Sequence, residues 1–563
     1  PDNQTVDYTW ETGGLLQNIR YAEGTNWSTT ERWWNLPTTT LYPGGTTQTQ
    51  SWDAFGRISS QQAKTAGQVT ILQRGYTYDL ENNPRKIDSE RGQHQYQYDA
   101  LYRLTEALHP AGLPTERFTL DGVGNRLTDE SKPNPAEADK RWKYNANHQL
   151  EQAATENTAL FGSNAQAVTH SWDDAGNLIR KHTPPGTEAL HPHQNQRYQY
   201  DAQNRLTETQ DADGNAIASY QYDPYGRRIR KTIYREWNGS WQLRTEAKTR
   251  YYLYSDEGLV AEYEQLGNAT PELIVQYGWE PGGLWGTSPL WMQGKRTDTG
   301  ATERYHYLND HLGTPQQLID AQGQVVWGQM QTAFGEAKVD NTSVVTNPLR
   351  FPGQYYDEET QTHYNFFRDY DPSTGRYTQP DPIGLGGGAN FYGYVLHHPL
   401  IFIDPTGEFA QCFVWPVGTA TCVVSGAAAA WRAYRIYKAV ETAGKAINSS
   451  TESGANSEKE CNKPCKGLPS RTDAFMAASE HARMDQSWRP IGWDQFNYPK
   501  TKEDQMTYTK FRQEHPNDPY GYSGGSGGEV VEHPADGDHP CPHFHAKAKL
   551  GEPFKVFPYD PDL

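Results

Sequence analysis

Apolar and polar residues alternate with a period of two along short stretches of the chain, as in Ala218-Ser219-Tyr220-Gln221-Tyr222 and Arg197-Tyr198-Gln199-Tyr200. Successive side chains of a strand point to opposite faces, so this alternation predicts strands with one face turned inward. Each stretch runs into a turn signal, and seven such signals share one pattern. They are Trp52-Asp53-Ala54-Phe55-Gly56-Arg57, Tyr78-Asp79-Leu80-Glu81-Asn82-Asn83, Tyr98-Asp99-Ala100-Leu101-Tyr102-Arg103, Leu120-Asp121-Gly122-Val123-Gly124-Asn125, Trp172-Asp173-Asp174-Ala175-Gly176-Asn177, Tyr200-Asp201-Ala202-Gln203-Asn204-Arg205 and Tyr222-Asp223-Pro224-Tyr225-Gly226-Arg227. In six of the seven an aromatic closes the strand, and in all of them an aspartate follows that can cap the turn by accepting backbone N–H bonds. Three residues after the aspartate, six of the seven units carry Gly or Asn, which tolerate positive φ. Arg or Asn then opens the return strand. The aspartates lie 26, 20, 22, 52, 28 and 22 residues apart, the 52 being about two periods with one degenerate unit. Hairpins of this kind cannot bury an apolar face alone, so the pattern predicts a stacked array.

Composition fits that reading. The 563 residues include 36 Tyr, 17 Trp, 51 Gly and 36 Pro with only 35% hydrophobic residues, which suits many short strands and tight turns. The formal charge of −18 is uneven: residues 409–563 hold 17 Lys and Arg against 19 Asp and Glu, and residues 1–408 hold 34 against 50. The acidity of the first part argues against a protein that coats nucleic acid, and no basic stripe marks the second. All five cysteines (412, 422, 461, 465 and 541) lie after residue 408, and an odd number implies no complete disulfide framework. Cys461 and Cys465 stand as a C-x₃-C pair, open to reading as ordinary thiols, half a zinc site or a redox pair. Pro1 begins in polar strand-and-turn sequence, without the charged start and apolar run of a signal peptide, and resembles a cut end. An export signal is expected on a removed segment or on a carrier.

Residues 50–408 are similar to the YD repeats of Rhs and teneurin proteins, and residues 305–408 to the Rhs-associated core. The core motifs are Tyr305-His306-Tyr307-Leu308-Asn309-Asp310-His311-Leu312-Gly313, Tyr364-Asn365-Phe366-Phe367-Arg368-Asp369-Tyr370-Asp371-Pro372, Gly375-Arg376 with Asp381-Pro382-Ile383-Gly384-Leu385, and Asp404-Pro405-Thr406-Gly407-Glu408. The resemblance implies a mainly β protein: a YD-repeat sheet wound into a hollow shell (1–304), an Rhs core plug that closes it (305–408), a leader and linker (409–470) and a small α+β toxin domain (471–563). It also implies self-cleavage after the second Asp-Pro motif, with Asp381 and Asp404 as an acid/base dyad and Arg376 as a charge partner. Two carboxyl groups held close in a dry site cannot both ionise, which makes the chemistry reasonable. Read without the resemblance, both aspartates simply cap Asp-Pro turns. Glu408 stands where the family has Leu, and the expected bond is Glu408–Phe409, freeing 155 residues.

The remainder carries a second set of candidates. Phe409 to Val424 is apolar but interrupted by Pro416 and Gly418, with a helix-like run to Ala446, too broken for the ~20 residues a span needs. A helix is expected from Ser470 to about Met484, with Glu480 and His481 beside a stripe of Phe475, Ala478 and Ala482. Three strand-like pieces follow, Val530–His533, His543–Lys547 and Phe554–Phe557; His543 and His545 alternate across Phe544, and His533 and His539 precede them. These histidines read either as a metal or acid/base cluster or as a polar surface hairpin. Glu480-His481, His533 and His543-x-His545 resemble the pattern of HNH/endonuclease VII-like toxin nucleases. That resemblance implies phosphodiester hydrolysis with His543 as general base, Glu480 and His481 beside it, and a divalent metal (Mg or Zn) on His481, His533 and His545.

By the same resemblance the chain is made in the cytoplasm, secreted and delivered into a target cell by type VI secretion. The partners implied are DNA, a cognate immunity protein, a chaperone and a VgrG/PAAR-type spike as carrier, with no stable membrane anchoring. Three other functions stay open: a pore formed by 409–446, a deaminase or ADP-ribosyltransferase, and a shell with an inert plug. Neither the H-x-E nor the P-C-x-x-C element of a zinc deaminase occurs in residues 409–563.

Overall fold

The computed structural model describes residues 5–12, 14–33, 36–130, 140–155, 167–183 and 195–408, together with short strands at 411–412, 489–491, 520–523, 529–533, 543–547 and 555–558. The chain divides into two compact units, Pro1–Ala429 and Ala430–Leu563.

The first unit is built on one sheet of 28 strands among the described residues, from β1 (Val6–Trp10) to β28 (Ala337–Val339). Every strand pairs antiparallel with its sequence neighbour, so the sheet is a continuous meander. It runs on past residue 304 to Val339, and the 305–340 segment supplies its last strands.

The recurring turn explains the meander. In the unit at Asp223 the backbone N–H of Asp223 bonds Arg227 O at 2.9 Å, and Gly226 N–H returns to Asp223 O at 3.1 Å. Oδ1 of Asp223 accepts the N–H groups of Tyr225 and Arg227, both at 2.9 Å, and Oδ2 accepts Arg227 Nε at 2.7 Å. The same three-bond carboxylate cap recurs at Asp53, Asp79, Asp99, Asp121 and Asp201. The third residue after the aspartate always has positive φ: 73° at Gly56, 70° at Asn82, 91° at Gly124 and 60° at Tyr102, the one unit without Gly or Asn there.

The aromatic before each aspartate locks one repeat to the one before it. Tyr78, Tyr98, Tyr200 and Tyr222 donate their hydroxyls to the carbonyls of Ile58, Pro84, Leu178 and Leu206 at 2.7–2.9 Å. Trp172 does the same through Nε1 to Leu150 O at 2.8 Å. The acceptor is in every case the fifth residue after the previous unit's turn-capping side chain, so the ring packs while its polar tip satisfies a carbonyl next door.

The sheet coils until its first and last strands face each other: Leu16, Ile19, Tyr21 and Trp27 share a core with Trp291, Leu308 and Ile319. Gln61 and Gln317 donate across this seam to Asn309 O and Ile71 O at 2.8 and 2.7 Å. A separate four-stranded sheet, β29 (Tyr355–Asp357), β30 (Thr362–Asn365), β31 (Arg368–Asp371) and β32 (Arg376–Tyr377), packs against the meander. It is held by buried charge. Arg228 forks onto Asp357, Lys231 bonds Asp357 and Glu359, and Lys181 bonds Asp371, all at 2.5–3.2 Å.

The second unit carries a five-stranded antiparallel sheet in sequence order, β35 (Arg489–Ile491), β36 (Tyr520–Ser523), β37 (Glu529–His533), β38 (His543–Lys547) and β39 (Lys555–Pro558). The three strands expected from the sequence are present as β37 to β39. Among the described residues no helix is long and apolar enough to cross a membrane.

Candidate active site

The last part of the first unit brings the two Asp-Pro motifs together. Asp381 follows β32, and its backbone N–H is anchored on Phe391 O at 2.9 Å. Asp404 follows β33 (Phe402–Ile403), which pairs with β34 (Gln411–Cys412). The loop between β33 and β34 contains both Asp404 and the Glu408–Phe409 bond.

One guanidinium joins the aspartates. Arg368 Nη2 lies 3.0 Å from Asp381 Oδ2 and 3.3 Å from Asp404 Oδ2, and all three side chains are at most 6% exposed. Arg368 also donates through Nε to Gly407 O and through Nη1 to Phe391 O at 3.1 Å. Its plane rests on the Tyr377 ring, 3.6 Å from the centroid. One cation thus ties Asp381, Asp404 and the backbone of the candidate cleavage loop into a single cluster.

The two carboxyls differ in their surroundings. Asp404 accepts the N–H groups of Gly407 and Glu408 on Oδ1 at 2.9 and 3.0 Å, and the Tyr377 hydroxyl on Oδ2 at 2.7 Å. Asp381 Oδ1 accepts the N–H of Ile383, at 3.0 Å. Burial lifts the Asp381 carboxyl to about 6 against the pull of Arg368, and the charges of Asp404 and Glu408 push the same way as burial. Burial also raises Glu408, opposed by the hydrogen bond from Thr406 and reinforced by the charge of Asp404. Three carboxyls share one cation here, so Asp381 holds a proton more readily than an ordinary aspartate.

The charge partner differs from the sequence expectation. Arg376 is not in the dyad: Nη1 donates to Asn125 Oδ1 at 2.8 Å, Nη2 donates to His148 O, and the guanidinium lies over the rings of Tyr144 and Tyr392. It ties the core to the repeat turns. The β31–β32 register sets Arg376 opposite Asp371 and Tyr377 opposite Tyr370, which turns Arg376 toward the meander while Arg368 reaches the aspartates. Arg368 and Asn365 stand in the core motifs and Tyr377 directly follows Arg376, but nothing in their spacing separates them from their neighbours.

Of the second set, His533 and His543 are register partners on β37 and β38, and His545 is opposite Val531. Glu480, His481 and His539 lie outside the described residues, as does the helix expected from Ser470 to Met484. Among the described residues no group of three or more His, Cys, Asp or Glu side chains is arranged to hold a metal ion. The backbone therefore brings His533, His543 and His545 into one ladder.

Comparison with known proteins places these features in context. Residues 172–216 and 200–239 match the RHS Repeat family, and residues 305–340 match the RHS protein family. The chain is 32% identical over 397 residues to double-stranded DNA deaminase toxin A of Burkholderia cenocepacia, covering 65% of this chain and 24% of that protein. It is 30% identical over 402 residues to toxin protein Tse5 of Pseudomonas aeruginosa, covering 64% and 29%, and 29% identical over 384 residues to probable deoxyribonuclease RhsA of Dickeya dadantii, covering 65% and 23%. The chain spans about a quarter of the length of these relatives. The repeat turns and the last strands of the sheet thus fall in segments similar to RHS Repeat and RHS protein families, and the chain is similar over about two thirds of its length to Rhs-type toxins.

Proposed function

We propose that this chain is the repeat shell, self-cleaving core and C-terminal toxin of an Rhs-type antibacterial effector. The observation that carries the reading is the Asp381–Arg368–Asp404 cluster, in which Arg368 and Asp381 meet Asp404 four residues before the Glu408–Phe409 bond. In the proposed step a water is polarised by the Asp404 carboxylate and adds to the Glu408 carbonyl, while neutral Asp381 protonates the leaving amide nitrogen of Phe409. Asp381 and Asp404 are thus acid and base, and Arg368 holds the pair and offsets the charge that develops. The bond broken is C–N, and the products are the Glu408 carboxylate and the Phe409 amine.

For the freed segment the proposal is a metal-dependent nuclease attacking the DNA of a competitor cell, with His543 as general base, Glu480 and His481 beside it, and Mg or Zn on His481, His533 and His545. The relatives named a deoxyribonuclease and a DNA deaminase, similar over comparable lengths of this chain, favour a toxin acting on nucleic acid. The ladder of His533, His543 and His545, and the lack of zinc-deaminase elements in residues 409–563, favour hydrolysis over deamination. Delivery by type VI secretion on a VgrG/PAAR-type spike, a chaperone and an immunity protein belong to the same proposal. Residues 409–563 expressed in bacteria should degrade DNA, and His543→Ala or Glu480→Ala should abolish this in a domain whose circular dichroism is unchanged. Depolarised cells with intact DNA would favour a pore instead.

A further inference from the structure

The two aspartates are alike in the sequence, yet their surroundings sort them, and the sorting rests on residues outside the pair. Tyr377 is 1% exposed and lies with its ring face under the Arg368 guanidinium, 3.6 Å from the centroid. Its hydroxyl donates to Asp404 Oδ2 at 2.7 Å. Asn365, fully buried, donates through Nδ2 both to that hydroxyl, at 2.9 Å, and to the main-chain carbonyl of Asp404, at 2.9 Å. Because the hydroxyl accepts from Asn365, its one proton is directed at Asp404. The two groups come from β30 and β32 and meet Asp404 at the start of the cleavage loop, so they fix its side chain and its backbone at once. Asp381 has a different environment: its Oδ2 faces the Arg368 guanidinium at 3.0 Å and its Oδ1 accepts the N–H of Ile383 at 3.0 Å.

We infer that Tyr377, oriented by Asn365, is a positioning residue for self-cleavage: its hydroxyl holds Asp404 as the carboxylate that polarises water, and so leaves Asp381 as the proton carrier. This rests on the self-cleavage reading above. A hydroxyl donor to a carboxylate stabilises the charged form. Without it, Asp404 should take up a proton at higher pH and the base should be lost earlier on acidification. The ring itself should still support Arg368, so a phenylalanine should keep the fold and lose only this effect.

The test uses the full chain, made by cell-free translation and jumped to buffers from about pH 4.5 to 8, with the fraction split after residue 408 followed in time. In Tyr377→Phe the rate near neutrality should fall about tenfold and the acid limb of the pH–rate profile should move up by about one unit, with an unchanged melting temperature. Tyr392→Phe removes a similarly buried hydroxyl, bonded to Gln149 and Gly176 O, and should move neither. An acid limb and rate equal to the unaltered chain's in Tyr377→Phe would overturn the assignment. If Tyr377→Phe melts early, a fluorotyrosine placed at position 377 keeps ring and hydroxyl while strengthening the donor; its acid limb should move down, and an unmoved limb again overturns the assignment. If the unaltered chain does not split at any pH, the self-cleavage reading fails and this inference fails with it. Splitting of the unaltered chain with an indifferent Tyr377 refutes this inference alone.

Discussion

Replacing Asp357 by Asn should be among the most damaging isosteric changes in the first unit. Asp357 is 1% exposed and receives Arg228 at 2.5 and 2.9 Å and Lys231 at 2.7 Å. Both cations are themselves buried, with side chains 1% and 4% exposed. Asn fills the same space but removes the charge, leaving Arg228 without its carboxylate and Lys231 with Glu359 alone, at 3.2 Å. Breaking a buried pair by removing one partner costs about 3–5 kcal/mol, since an uncompensated charge stays in a dry site. The flanking cations hold Asp357 below the usual carboxylate range although burial alone would raise it. A carboxyl lowered in the folded state contributes stability above its unfolded value, near 4, and loses that contribution as pH falls through the folded value. The penalty should therefore be full at pH 7 and shrink on acidification below about 4. Urea unfolding followed by tryptophan fluorescence at pH 7 and at pH 3 measures both. An unchanged midpoint at pH 7, or a penalty that grows toward pH 3, would refute the reasoning.

Further expectations concern the turns and the candidate site. Tyr102 holds φ at 60° without Gly or Asn and is half exposed, so Tyr102→Asn should stabilise the chain by about 1 kcal/mol, seen as a higher melting temperature. A Cβ on Gly387 would lie 2.2 Å from Asp381 Oδ2, so Gly387→Ala should displace that carboxyl and block splitting after residue 408 without unfolding the sheet, as gel mobility and circular dichroism would report. With Asp381 raised to about 6 by burial and required in its neutral form, splitting should slow as pH rises through about 6; a rate that increases from pH 6 to 8 would count against Asp381 as the acid.

Much of the fold was legible because the turn is made of local hydrogen bonds. The seven aspartates and their Gly or Asn partners define it without reference to distant residues. The missing unit in the 52-residue gap was hidden by one chemical exchange. Asn145 takes the aspartate's place, its Oδ1 accepts the N–H groups of Asn147 and Gln149 at 2.9 and 3.1 Å, and its amide donates to Gln149 Oε1 at 2.6 Å. Donor and acceptor are swapped while the turn stays the same, with φ of 62° at His148. The continuation of the sheet to Val339 was masked in the same way, since the turns at Asp310, Asp320 and Thr332 lack the aromatic but keep the cap. The dyad was legible only through resemblance, and its cation was misplaced. Arg376 is five residues from Asp381, whereas the arginine that contacts both aspartates, Arg368, is thirteen away and arrives by the folding back of β31 on β32. Sequence distance says nothing about which of two arginines a hairpin turns toward a carboxylate.

Asp381 and Asp404 are proposed to cut the chain they belong to. Intact-mass measurement of the denatured full chain addresses this most directly, beside Asp381→Asn and Asp404→Asn. The unaltered chain should give two fragments, 1–408 and 409–563, and each variant a single uncut chain. An uncut chain without either substitution, or the same two fragments from both variants, would contradict it.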